Sequence, residues 1–258
     1  MKINADYHTH TRYSHGKGTV LDNAEAALKS GLCAIAITDH GFSHPAFGMR
    51  RRKLPAMRAD CTAAEEKTGV KVLLGIESNI LGESGKIDVK PTDYDKLDII
   101  LAGVHRMVFY DKAKDYRKLF FANAFNDLFK KEASSSLKAY NTRCYVNAIR
   151  SNPIDILTHL DFKVDCDVKV VAECCADYGT YVEINTKKIH MTSEEWNEVF
   201  STKANFIIDS DAHTPSRVGE ISLIESLEKD GVKIPYERVF NVEGRKPKFR
   251  FEEFKKRL

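Results

Sequence analysis

The sequence predicts an α/β protein closed into a (β/α)7 barrel. Three observations carry that expectation. Short apolar runs recur along the chain and alternate with amphipathic stretches, as parallel strands joined by crossover helices require. About seven such runs are present, which crowds a small open sheet. No Gly-rich phosphate loop follows the first run, although an open nucleotide-binding sheet would need one. The 258 residues suit a single barrel domain over 1–258.

The elements follow in order. Strands are expected at Ile3–His8, Ala34–Thr38, Val70–Ile76, Leu97–Val104, Ile154–Thr158, Tyr181–Ile184 and Asn205–Ile208. Helical patterns lie between them at Asp22–Ser30, Pro55–Thr68, Val168–Tyr178 and Ser193–Phe200. One segment, about 108–152, holds two helical patterns and no strand, and reads as a helical insertion. The first pattern carries Phe120, Phe121, Phe125, Leu128 and Phe129; the second carries Leu137, Tyr140, Val146 and Ile149. The run Ser134-Ser135-Ser136 lies between them and offers an N-cap for the second helix. The aromatics are expected to pack on the barrel, with a lid over the site as the sharper alternative. Most of the acids Asp111, Asp115, Asp127 and Glu132 are expected to face water, and the insertion is expected to shape access without supplying a metal ligand.

Composition narrows the class. Hydrophobic residues make up 43% of the chain, which excludes wholesale disorder. Forty Lys+Arg against 37 Asp+Glu leave a net charge of +3, which argues against a nucleic-acid partner. None of the six cysteines forms a C-x-x-C pair, so reduced thiols and a cytoplasmic location are expected. No apolar run approaches membrane-spanning length, and no membrane partner is expected. Nothing in the sequence fixes an oligomeric state.

The chemistry is carried by position. The first strand ends in His8-Thr9-His10, and residues two apart on a strand face the same side. His15 follows in the loop, before Gly16. Asp39-His40-Gly41 follows the second strand, and Gly75-Ile76-Glu77 ends the third. Gly103-Val104-His105, Thr158-His159 and Asp211-Ala212-His213 stand at the ends of the fourth, fifth and last strands. In a barrel these ends converge on one face. Seven histidines belong to the set, leaving His44 and His190 outside it. With Glu77 and Asp211 they make nine donors of the type that binds Zn²⁺, Mn²⁺ or Fe²⁺, enough for two to three ions.

These motifs resemble the PHP (polymerase and histidinol phosphatase) family of metal-dependent phosphoesterases. The resemblance rests on Asp6-Tyr7-His8-Thr9-His10-Thr11, Ser14-His15-Gly16, Ile37–Gly41, Gly75–Glu77, Gly103–His105, Thr158-His159 and Ser210–His213. Gly75–Ile80 followed by Gly85–Asp88 resembles the stand-alone bacterial phosphatase branch. The family implies a distorted, TIM-like seven-stranded barrel and a trinuclear site. Carried over, His8, His10, Glu77 and Asp211 would hold one ion. Glu77, His105 and His159 would hold a second, and His15, His40 and His213 a third. A metal-bound hydroxide is then the expected nucleophile, attacking a small phosphorylated metabolite.

Other candidates are softer. Asp39 is expected either to orient an imidazole or to fix a turn. Arg12, Arg106, Lys187, Lys188 and Arg217 lie near the donors in sequence, and one or two are expected to bind phosphate. The run Arg50-Arg51-Arg52-Lys53 reads as a solvated face on the substrate side. Two other functions compete with the phosphatase. One is a nuclease or 3′-end processing enzyme using the same metals; the other is a metal-stabilised binding module without turnover.

Overall fold

The strands form first, and they do so where the apolar runs are. In the computed structural model, which describes residues 2–258, they are β1 (Ala5–Thr9), β2 (Ala34–Ile37), β3 (Lys71–Asn79), β4 (Ile99–Gly103), β5 (Ile156–Leu157), β6 (Tyr181–Asn185) and β7 (Phe206–Asp209). Neighbours pair in parallel in the order β1 to β7. Helices run between them at Val20–Lys29, Leu54–Thr68, Val168–Tyr178 and Ser193–Ser201. Capping boxes, Thr19 with Asp22 and Thr192 with Glu195, start the first and last of these.

The sheet is a nearly closed barrel. At the C-terminal end of the β1–β7 seam the backbones pair directly, His10 N donating to Ala212 O at 2.8 Å. Lower down, Asn241 fills the seam. Its amide donates to Ala5 O and Ile208 O and accepts from Ile208 N. Two apolar layers result. Ala5, Tyr7, Ala36, Ile99, Leu101, Ile156, Tyr181 and Ile207 fill the barrel, and Phe240 and Phe249 pack against them. A larger layer, including Ile35, Leu74, Ile76, Ile100, Leu157 and Val182, lies between strands and helices. Each fully buried aliphatic side chain contributes about 1.5–3 kcal/mol.

A bulge in β1 sets up the site. Asp6 pairs with Ile35 and Thr9 with Ile37, so β1 advances three residues while β2 advances two. A bulge re-aims the side chains that follow it. Tyr7 therefore joins the inner apolar cluster with Tyr181, while His8 meets Glu183, two residues further along the same face of β6.

The insertion departs from expectation. It comprises Ala113–Asp115, the wider-wound helix Tyr116–Ala122, Asn123–Phe129 and Ser135–Ser151. Ser134 caps the last of these, accepting from Leu137 N. Leu119 is buried and Phe120 packs on the core, but Phe121, Phe125, Leu128 and Phe129 are 51–76% exposed. The wider winding of Tyr116–Ala122 changes the angle between successive side chains, so one stripe cannot keep all five apolar positions inward. Asp115 is also not in water. It is buried, accepting from the Tyr140 hydroxyl and from the backbone N–H groups of Lys112 and Glu83.

Candidate metal centre

The nine donors sit where the barrel geometry sends them, at the C-terminal ends of the strands. Glu77, at the end of β3, is the hub. Its Oε1 lies 2.8 Å from His159 Nε2, 3.1 Å from His105 Nε2 and 3.4 Å from His8 Nε2. Its Oε2 lies 2.6 Å from His40 Nδ1 and 3.7 Å from His10 Nε2. Asp211 Oδ1 is 3.2 Å from both His10 Nε2 and His213 Nδ1, and 3.8 Å from His8 Nε2. The His15 ring lies 4.7 Å from that of His40 and 4.4 Å from that of His213. Three donor triplets are each close enough to share an ion: His8–His10–Asp211, His40–Glu77–His105 and His10–His40–His213.

The chemistry of this set fits divalent metals. His8 Nε2 and His10 Nε2 face each other at 3.0 Å. His40 Nδ1 and Glu77 Oε2 are buried and, although close, are misaligned for a hydrogen bond. Buried polar atoms without partners are costly, and an ion between them would satisfy both. Burial alone would protonate Glu77, but the imidazoles of His105, His8 and His40 outweigh it and hold the carboxyl well below its usual range. Asp211 is held low in the same way, against burial, by His8, His10, His213 and Lys187. Burial and the neighbouring His40 and His213 push His10 well below the ordinary imidazole value, so its lone pairs are available. Ionised carboxylates and neutral imidazoles are the forms that bind metal.

A supporting layer fixes the rings, and sequence reasoning missed most of it. His8 Nδ1 donates to Glu183 Oε1 at 2.5 Å; against burial, Glu183, Asp211 and Glu77 hold the ring well above the ordinary imidazole value, so a cation facing Glu77 would bind in place of the Nε2 proton. The other oxygen of Glu183 accepts from His159 N at 2.6 Å and from Asn185 Nδ2 at 3.0 Å. One buried carboxylate thus anchors two donors from different strands. The signal for it was an acid inside the apolar run Tyr181–Ile184. Likewise Asn79 Nδ2 donates to Asp88 Oδ2, which turns Oδ1 toward His105 Nδ1 at 2.8 Å. His213 Nδ1 donates to Asp211 O at 2.9 Å.

Backbone strain accompanies the site. His159 and Asp211 hold φ values of 26° and 47°, which non-glycine residues rarely adopt. Gly103 and Gly16 serve close approach instead. A Cβ on Gly103 would meet Thr158 Oγ1 at 2.4 Å, and one on Gly16 would meet His10 O at 2.5 Å.

The softer candidates separate. Asp39 touches no imidazole. It accepts from the N–H and hydroxyl of both Thr11 and Ser14 and so fixes the loop that carries His15. A cavity of about 550 Å³ opens over the donors. Seven donors line it, while His8 and His10 lie fully buried. Of the cationic candidates, Lys187 and Lys188 line it; Lys187 Nζ sits 3.2 Å from Asp211 Oδ1. Arg106 is paired with Asp127 of the insertion at 2.7 Å, and Arg217 with Glu220 at 2.9 Å. Arg12 lies in a separate groove with Tyr13, Lys53 and Asp60. Arg51 is paired with Asp93 and covers Phe42, so the basic run lies off the cavity wall. Among the described residues, no residue of 108–152 lines the cavity, so nothing in its lining supports the lid alternative. His44 and His190, outside the motif set, do line it.

The chain and its fold are similar to known proteins. The sequence profile of the PHP domain matches residues 6–187. A probable phosphatase of Caldanaerobacter subterraneus subsp. tengcongensis is 30% identical over the whole chain and 94% of its own length. A probable phosphatase of Vibrio atlanticus is 30% identical over 88% of this chain and 85% of its own. The fold matches that of histidinol phosphate phosphatase from Lactococcus lactis, solved with zinc, L-histidinol and phosphate. The TM-score is 0.58 at 15% identity, covering 89% of this chain and 94% of that one. The chain belongs to the PHP domain family.

Proposed function

We propose that this protein is a metal-dependent phosphatase that hydrolyses a small phosphorylated metabolite at a site for two to three divalent transition-metal ions. The observation that carries this reading is the gathering of seven histidines around Glu77 and Asp211 beneath one cavity, with seven of these nine residues in triplets close enough to share an ion. Relatives named as phosphatases support the reaction class. His8, His10, Glu77 and Asp211 would hold one ion, Glu77, His105 and His159 a second, and His15, His40 and His213 a third. Bound ions of this kind lower the pKa of a coordinated water to ~7 and offset charge on phosphoryl oxygens. The protein's part is to orient and to exclude. Glu183 and Asn79 fix the tautomers of His8 and His105, and Lys187, free to swing from Asp211, can meet a phosphoryl oxygen.

A small substrate is favoured over nucleic acid. The cavity is about 550 Å³, and none of Arg50–Lys53 lines it. Five of the six free cysteines are buried, in keeping with a reducing, cytoplasmic setting. The test is a screen over sugar phosphates, nucleotides, histidinol phosphate, an aryl phosphate and short single-stranded DNA, with metal content measured on the same sample. Two to three ions per chain and chelator-sensitive release of phosphate are expected. Less than one ion per chain, activity surviving chelation, or cleavage of DNA alone would overturn the proposal.

A further inference from the structure

One wall of the cavity continues past the donor His159, and its construction is unusual. Three of the five residues from His159 to Lys163 have positive φ: His159 at 26°, Asp161 at 70° and Lys163 at 61°. None is glycine. Such backbone persists only where its surroundings impose it. Here Asp161 Oδ1 accepts from Cys166 N at 2.6 Å and Phe162 N donates to His159 O at 3.1 Å. The loop places Phe162 and Lys163 on the cavity wall directly after a donor.

A second loop completes the wall. Lys188, after β6, brings its Nζ to 5.9 Å from the Phe162 ring, and Lys163 Nζ stands 5.2 Å from the same ring. The His190 ring lies 5.6 Å from that of Phe162. Both ammonium groups lean on one aromatic surface. Among the described residues, no carboxylate pairs with either of them, whereas the neighbouring Lys187 is paired with Asp211. The acids lining the cavity are Glu77 and Asp211, both inside the donor cluster. Two cations at one aromatic ring on the cavity wall, neither with a carboxylate within ion-pair distance, can both turn to an anion that enters the cavity.

Given the phosphatase activity proposed above, we infer that Lys163 and Lys188, seated on Phe162, bind a second anionic group of the substrate. The substrate class is then a phosphate monoester that carries a further carboxylate or phosphate. A phosphate ester of an amino alcohol would set its ammonium against these lysines, with no carboxylate on that wall to receive it.

The test uses the full-length, metal-loaded protein and three esters of similar size: 3-phosphoglycerate, glycerol 3-phosphate and phosphoethanolamine. The expected order of kcat/KM is carboxylate-bearing, then neutral, then ammonium-bearing, with roughly tenfold or more between first and last. The charge reversal K163E/K188E is expected to invert that order. Equal kcat/KM for the three esters, or an order unchanged in the variant, overturns the inference. A second measurement does not depend on the variant or on turnover: calorimetry should show 3-phosphonopropionate binding more tightly than ethylphosphonate. Equal affinities overturn the inference too. Turnover of p-nitrophenyl phosphate without any charge preference sinks this inference alone. No turnover of any ester, aryl phosphate included, sinks the phosphatase proposal and this one with it.

Discussion

The two mouths of the barrel use the same kind of residue for opposite purposes. At the open mouth, Glu183 on β6 is buried and holds His8 and the backbone of His159. At the far mouth, Asp155, just before β5, is equally buried, but its oxygens accept from Phe251 N at 2.8 Å and Ile100 N at 2.9 Å. There it pins the C-terminal helix Arg250–Lys255 across the barrel, beside the plug made by Phe240 and Phe249. Glu183 serves groups that a ligand can use. Asp155 serves backbone groups that no ligand reaches. A buried carboxylate therefore does not mark a functional site by its burial; what it holds decides.

Breaking the open mouth gives the largest effect. His8→Ala and Asp211→Ala should each lower turnover of an aryl phosphate by orders of magnitude and reduce metal content, measured by elemental analysis, with the fold intact by circular dichroism. Full metal content and full turnover in either variant would remove that residue from the centre. Glu183→Gln should come next. Loss of a carboxylate that orients a ligating imidazole costs roughly 10–100-fold in metal affinity or activity. Melting temperature should move less than it does at the far mouth.

Asp155→Ala should show the converse, with stability lost and kcat nearly kept. It strands two buried N–H groups, at about 1–3 kcal/mol each, and denaturant unfolding would read the loss. The pH dependence sharpens the contrast. Burial raises the Asp155 carboxyl to about 7 from an ordinary 3.8, against the pull of its two N–H donors. The native state then binds more protons than the unfolded state between those values, so this group's contribution to stability falls as pH rises from about 4 to about 7. Asp155→Asn should flatten the wild-type slope in that window. An unchanged slope would assign the titration to other buried acids.

The smallest effects are expected away from both mouths. Trimming the insertion near Ser134–Ser136 should leave metal content unchanged and alter kcat/KM only slightly, because no described residue of 108–152 lines the cavity. Cys174→Ala and Cys175→Ala should leave turnover nearly unchanged. Burial raises both thiols above their ordinary range, so neither is a ready thiolate. A large loss of turnover in either variant would call for a thiol in the chemistry.

By itself the sequence determined the alternation of strands and helices, the capped start of Ser135–Ser151 and the position of the proposed donors at strand ends or in the loops just after them. Those features are local. Period and cap residues act over a few positions, and a parallel barrel gathers its strand ends whatever the loops do. Tertiary structure alone decided the rest. The β1 bulge depends on register with β2, and the partnership of His8 with Glu183 spans 175 residues. Arg106 and Arg217 are spent on Asp127 and Glu220, which proximity in sequence to a donor does not reveal. The cationic wall is likewise assembled from two loops, after β5 and after β6, and neither loop specifies it alone. Pairings across the barrel are set by which faces meet, and a single chain read in order carries no record of that until it closes.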